Sequence, residues 1–104
     1  MKRGEVWWAN LPKPVGRRPV LLLSRNAAYS VRSSVTVAPI TRTAYEIPVE
    51  VRLGSEDSMP ADCVVNLDSI LTIPKRRLER SLTTLSAEKL SLVEQAIKFA
   101  LDLR

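Results

Sequence analysis

Every strand-forming segment in this chain is short, each is cut off by proline, glycine or a polar cluster, and a helical periodicity takes over only after Ser86. Short strands bury few residues each, so a stable core requires several of them to share one curled sheet with the helix laid against it. The first segment, Glu5–Leu11, carries Val6, Trp7 and Trp8 and stops at Pro12. Two prolines and a glycine between Pro12 and Arg18 predict a loop. Pro19–Ser24 is apolar on both faces, which predicts a central strand. Asn26–Ser34 is polar with room for one helical turn, and Val35–Ile40 is a third strand whose Pro39 points to an edge or a bulge. Glu46–Leu53 alternates, with Ile47, Val49, Val51 and Leu53 on one face. Gly54–Ala61 is a loop. Cys63–Leu67 and Ser69–Ile73 form two short strands or one bent strand, followed by a proline-led helical turn at Pro74–Leu78.

Ser86 caps the helix, which is expected to run to Leu103 with Leu90, Val93, Ile97 and Leu101 on its core face. A second strip, Leu92, Ala96, Phe99 and Leu103, either sinks into the same core or forms a seam with a second copy of the chain. The expectation is one mainly β domain over residues 1–104, a small barrel-like sheet with short helices and a C-terminal α-helix.

Sixteen Lys and Arg against eleven Asp and Glu give a net charge of +5, which favours an anionic partner such as nucleic acid. The basic residues gather at Lys2-Arg3, from Lys13 to Arg18, at Arg25, Arg32 and Arg42, and at Lys75-Arg76-Arg77. No apolar run approaches the roughly 20 residues of a membrane span, and no segment resembles a secretory leader, so a cytoplasmic location is expected. The single Cys63 lies in an apolar run, as a small buried hydrophobe would. No acidic or Cys/His cluster has metal-site spacing, so neither a metal nor a cofactor is expected. There is no histidine, which removes the commonest general acid and base.

Arg17 and Arg18 run directly into an apolar strand through Pro19. A guanidinium at such a place must stay wet or be paired, so a strand-end ion pair and an anion site are both open readings. Of Trp7 and Trp8, which alternate faces on a strand, one belongs to the core. The other stacks a base or packs at a seam between copies.

Several segments together resemble the MazF/PemK-type toxins of bacterial toxin–antitoxin systems. Lys2-Arg3-Gly4-Glu5-Val6-Trp7-Trp8-Ala9-Asn10-Leu11 is similar to their first strand, and Gly16-Arg17-Arg18-Pro19-Val20-Leu21-Leu22-Leu23-Ser24 to their second. Val37-Ala38-Pro39-Ile40-Thr41 resembles the third. The stretch from Asp62 to Ile73, followed by Lys75, Arg77 and Leu78, resembles a later block. The resemblance implies an SH3-like β-barrel, a homodimer, sequence-specific cutting of single-stranded RNA, and inhibition by an acidic MazE-like antitoxin. It also implies that Arg18 and Thr41 are catalytic. The short first loop, with Lys13 and Arg17 and no acidic residue, departs from relatives with a longer loop.

Cleavage of RNA by its own 2′-hydroxyl needs charge stabilisation on the non-bridging phosphate oxygens, which the fork of Arg18 and the hydroxyl of Thr41 can supply. The products would be a 2′,3′-cyclic phosphate and a 5′-hydroxyl. Candidates for the base are Asp68, Glu46 or a polarised Arg18. Candidate RNA contacts are Arg17, Lys13, Ser24, Arg25, Asn26, Arg42, Asp68 and Ser69. The rival reading is a non-enzymatic toxin similar to CcdB, which binds DNA gyrase; it would need neither Arg18 nor Thr41.

Overall fold

The computed structural model describes all of residues 1–104. Its elements are β1 (Glu5–Asn10), β2 (Arg17–Leu22), α1 (Ala28–Val31), β3 (Ser34–Thr41), β4 (Glu50–Leu53), β5 (Cys63–Asn66), β6 (Leu71–Pro74), β7 (Leu78–Thr84) and α2 (Ala87–Ala100). Single 3₁₀ turns lie at Ser55–Asp57 and Lys75–Arg77. All pairings are antiparallel, in the order β4-β5-β3-β2-β1-β7, with β6 also on β3. The expected barrel is corrected in one respect. The sheet is not closed: β4, β6 and β7 each pair with a single strand, and α2 packs near β4.

The apolar run of β2 serves two cores. Leu21 joins Val6, Ala38, Ile40 and Val65 beneath Val93 and Ala96 of α2. Val20 and Leu22 face the other way, among Ala9, Val35, Val37, Ile73, Leu78 and Tyr29 of α1. Burial on both faces is what makes this strand apolar throughout.

Pro39 sits in a central strand, where an edge or a bulge was expected. The backbone of Thr36 points toward β2, since its carbonyl accepts from Leu23 N and its N–H donates to Ser24 Oγ. By alternation Pro39 points to the opposite side. There β6 pairs only as far as Val37 and β5 begins at Ile40, so the missing N–H falls in the gap between two partners.

Residues 79–84 carried no expectation of a strand, yet β7 pairs with β1 from Glu5 to Ala9. Its register against β1 shifts between Val6 and Trp7 and again between Trp8 and Ala9. Each shift leaves an extra residue on β7, Leu82 and Glu79, and breaks the alternation by which a strand is recognised.

α2 begins as expected, with Ser86 Oγ accepting from Lys89 N at 3.1 Å. It ends three residues before Leu103, so Leu101 leaves the core face and is 57% exposed. Of the second strip Ala96 is buried, whereas Leu92, Phe99 and Leu103 are exposed. At the helix start, Lys89 Nζ lies 3.4 Å from the buried Asp57 carboxylate and donates to the Arg52 carbonyl at 2.6 Å. Asp57 also accepts from Gly54 N at 3.0 Å, so one acid ties the loop after β4 to α2. Gly4, at φ +94°, turns the chain into β1 with Leu90 packed 3.3 Å from where a Cβ would stand.

Candidate active site

The β2/β3 ladder stops at Val20 and Pro39, and the sequence explains why. Leu23 N donates to β3, so the odd-numbered residues of β2 turn their backbone groups to that strand. Pro19 is the next odd residue beyond Leu21, and it has no N–H to offer the Ile40 carbonyl. Pairing with β1 is unaffected, because even-numbered residues face β1. This lets β2 begin at Arg17, two residues before the expected start, with Arg17 opposite Asn10 and Arg18 opposite Ala9. Arg17 therefore belongs to a strand and not to the basic loop.

Beyond the broken rung the two strands border a groove of about 840 Å³. Carrying the β2/β3 register two residues further sets Arg18 opposite Thr41. Both side chains line the groove, together with Arg17 and Arg42. The two arginines at the strand start differ sharply. Arg17 Nε lies 2.8 Å from Glu79 Oε1, and its guanidinium carbon lies 4.2 Å from the centre of the Trp8 ring. Arg18 is half-buried, and its side chain has no ion pair and no hydrogen bond within the chain. Thr41 Oγ1 donates to the Thr43 carbonyl at 3.1 Å, a bond its hydroxyl can exchange for another acceptor by rotating about χ1. Chemically, the arrangement is an unneutralised planar fork beside a hydroxyl, open to an anion.

The rest of the wall includes Trp8, Tyr45, Glu50, Met59, Cys63 and Asn66. Glu50 is its single carboxylate, and Oε1 accepts from Tyr45 N and Glu46 N at 2.9 Å each, pinning the loop that leads into β4. Burial, then the nearby Asp57 and Asp62 carboxylates, push the Cys63 thiol up, keeping it neutral. Trp7 packs against the second core and donates to Glu5 Oε1 at 3.0 Å, so Trp8 is the tryptophan at the groove.

Six of the candidate RNA contacts lie off this groove. Lys13 is exposed in the loop before β2. Ser24 Oγ is occupied by Thr36 N at 2.8 Å, Asn26 Oδ1 by Arg3 N at 2.7 Å, and Arg25 is exposed beside them. Asp68 and Ser69 occupy the exposed turn after β5, where Asp68 N donates to Asn66 Oδ1. Of the candidate bases, Glu46 pairs with Arg52 at 2.9 Å and neither Glu46 nor Asp68 borders the groove. Glu50, Tyr45 and Asn66 escaped the sequence reading. Glu50 reaches back only because Glu46 adopts φ +56°, a reversal that no residue type there announces.

The model of the PemK-like, MazF-like toxins of type II toxin–antitoxin systems matches residues 2–101. The chain belongs to this family. The probable endoribonuclease MazF2 of Mycobacterium tuberculosis is 38% identical to this toxin-family chain over 99 residues, covering 94% of this chain and 95% of its own. MazF5 of the same organism is 37% identical over 101 residues, covering 96% and 92%. Among solved structures, the M. tuberculosis toxin MazF-mt6 superposes with a TM-score of 0.89 at 33% identity, covering 96% of this chain and 98% of its own. A mycobacterial endoribonuclease in complex with its cognate antitoxin also gives a TM-score of 0.89, at 28% identity, covering 100% and 97%. No helix of this toxin-family chain is long and apolar enough to cross a membrane.

Proposed function

We propose that this chain is the toxin of a type II toxin–antitoxin system and acts as a metal-independent, sequence-specific endoribonuclease on single-stranded RNA. The observation that carries the reading is the unpaired Arg18 facing Thr41 where Pro19 ends the β2/β3 ladder. The names of the relatives, endoribonucleases, support the same class and not the gyrase-binding alternative.

In the proposed reaction the ribose 2′-oxygen attacks the adjacent phosphorus, a new P–O2′ bond forms, and the P–O5′ bond breaks. Negative charge grows on the non-bridging oxygens. Arg18 binds them with two parallel N–H donors and grips harder as that charge develops, while Thr41 turns its hydroxyl from the Thr43 carbonyl to the same oxygens. Arg42 at the groove mouth holds a neighbouring phosphate. The 2′-hydroxyl proton passes to solvent water and the departing 5′-oxygen takes one from water, so no proton is gained or lost overall and the products are a 2′,3′-cyclic phosphate and a 5′-hydroxyl.

The same basic groove suits an acidic antitoxin segment that orders on binding and competes with RNA. Leu92 and Phe99, exposed beside a hollow of about 390 Å³ between β4 and α2, are the surface we assign to the homodimer seam.

The deciding experiment incubates the purified protein with single-stranded RNA and maps the new ends. An analogue lacking the 2′-hydroxyl at the cleavage position should bind and stay intact. Efficient cutting of that analogue overturns the mechanism.

A further inference from the structure

Arg17 covers one face of Trp8 while Glu79 holds it there, and three features make this contact more than a chance surface pair. The Arg17–Glu79 bridge connects β2 to β7 across the intervening β1, at the level of Trp8. Glu79 is the extra residue of the second register shift, and such a bulge re-aims its side chain over β1. Register shifts on either side of the Trp7–Trp8 pair also interrupt the regular ladder between that stretch of β1 and the edge strand.

We propose that Trp8 is a nucleobase-stacking platform and that Arg17, latched by Glu79, is its removable cover. The inference rests on the RNA-cleavage reading and names a contact within it: the base of a nucleotide flanking the cleaved phosphate. Trp8 pairs with Pro19, the residue after Arg18, and the ring lines the same groove as the unpaired guanidinium.

Magnitudes favour the exchange. Stacking a base on an aromatic ring is worth about 5- to 150-fold in affinity. An exposed cation–π contact and an exposed ion pair are each worth about 5-fold or less. The Arg17 and Glu79 side chains are 47% and 40% exposed, so both contacts belong to the weak class. When a base takes the ring face, Arg17 keeps an anionic partner by moving from the Glu79 carboxylate to an RNA phosphate. Without RNA the cover hides an aromatic surface that would otherwise invite unspecific contacts.

The test uses a single-stranded RNA with a 2′-deoxy sugar at the cleaved position and 2-aminopurine placed in turn at each flanking position. On the native protein one position should be strongly quenched. Trp8→Leu should abolish that quenching and weaken binding by about 5- to 150-fold, whereas Trp8→Phe should retain most of the affinity. Glu79→Gln should quench the same position and bind more tightly, because the cover is released. Quenching that is absent at all positions or unchanged in Trp8→Leu, or a Glu79→Gln variant that binds more weakly, overturns the proposal. Should Trp8→Leu fail to fold, Trp8→Phe and Glu79→Gln still decide it. Failure of the native protein to cut any RNA would instead strike the functional reading, while normal cutting without position-specific quenching strikes this inference alone.

Discussion

Arg18 stands opposite Thr41 in the continued register of β2 and β3, one rung past the point where Pro19 has ended their hydrogen bonding. The pair is thus brought together by the sheet and kept unbonded by a proline, which leaves a groove between strands that would otherwise close.

Arg18→Ala should lower RNA cleavage by about 10²- to 10³-fold, the usual effect of removing one donor to a developing oxyanion. Arg18 has no ion pair or hydrogen bond to lose, so the melting temperature should stay within about 2 °C of the parent. Arg18→Lys should recover little, because an ammonium cannot reproduce the bidentate fork. Cleavage rates and thermal unfolding on the same preparations check both halves, and a folded Arg18→Ala protein that still cuts refutes the role.

Pro19→Ala restores an N–H aimed at the Ile40 carbonyl. One more rung can then form, drawing β3 toward β2 and narrowing the groove between Arg18 and Thr41. Cleavage should fall by about tenfold through misplacement of the pair, with little change in stability. Hydrogen exchange at the new alanine amide would show the rung directly: slow exchange with lost activity is expected, and fast exchange with full activity would remove Pro19 from the account.

Alkaline stability should depend on Tyr29. Its hydroxyl is buried, and burial pushes the phenol up from 10.0 to about 12. The unfolded chain loses this proton near pH 10 while the folded chain keeps it, so stability falls as pH rises from 10 to about 12. The slope attributable to this group is about 1.4 kcal/mol per pH unit. Denaturant unfolding between pH 10 and 12 should approach that slope in the native protein and show a shallower one in Tyr29→Phe.

Asp57→Ala should destabilise the fold by about 2–3 kcal/mol, since it leaves Lys89 and the Gly54 N–H without their buried acceptor. The loop it anchors leads into Met59, Pro60 and Ala61 of the groove wall, so RNA affinity should drop as well. Calorimetry and RNA titration of the variant would measure the two effects, and a drop in only one of them would separate loop anchoring from groove shape.

The central strand, the proline-led turn at Lys75–Arg77 and the Ser86 cap were legible because each depends on local chemistry: an apolar run, a fixed φ, a hydroxyl one turn ahead of a free N–H. Arg18 and Thr41 were singled out through the motifs around them, and the fold brings both to one groove. Strand β7 was not, because the bulges at Glu79 and Leu82 scramble its alternation, and bulges answer to the partner strand rather than to their own residues. Glu50 in the wall was hidden for a related reason. Its carboxylate turns back to the backbone of Tyr45 and Glu46, a contact made by the folded loop alone. Arg17 looked like its neighbour in sequence, and only the position of Glu79 two strands away separates the tethered guanidinium from the free one.

Cys63 is the single cysteine of the chain, and it lies in the groove wall with 8% of its surface exposed. A thiol reagent therefore has one address on the protein, and that address is slow because burial keeps the sulfur protonated. The labelling rate becomes an occupancy gauge: any RNA or antitoxin segment seated in the groove should protect the sulfur, and its release should restore the reaction without any engineered probe.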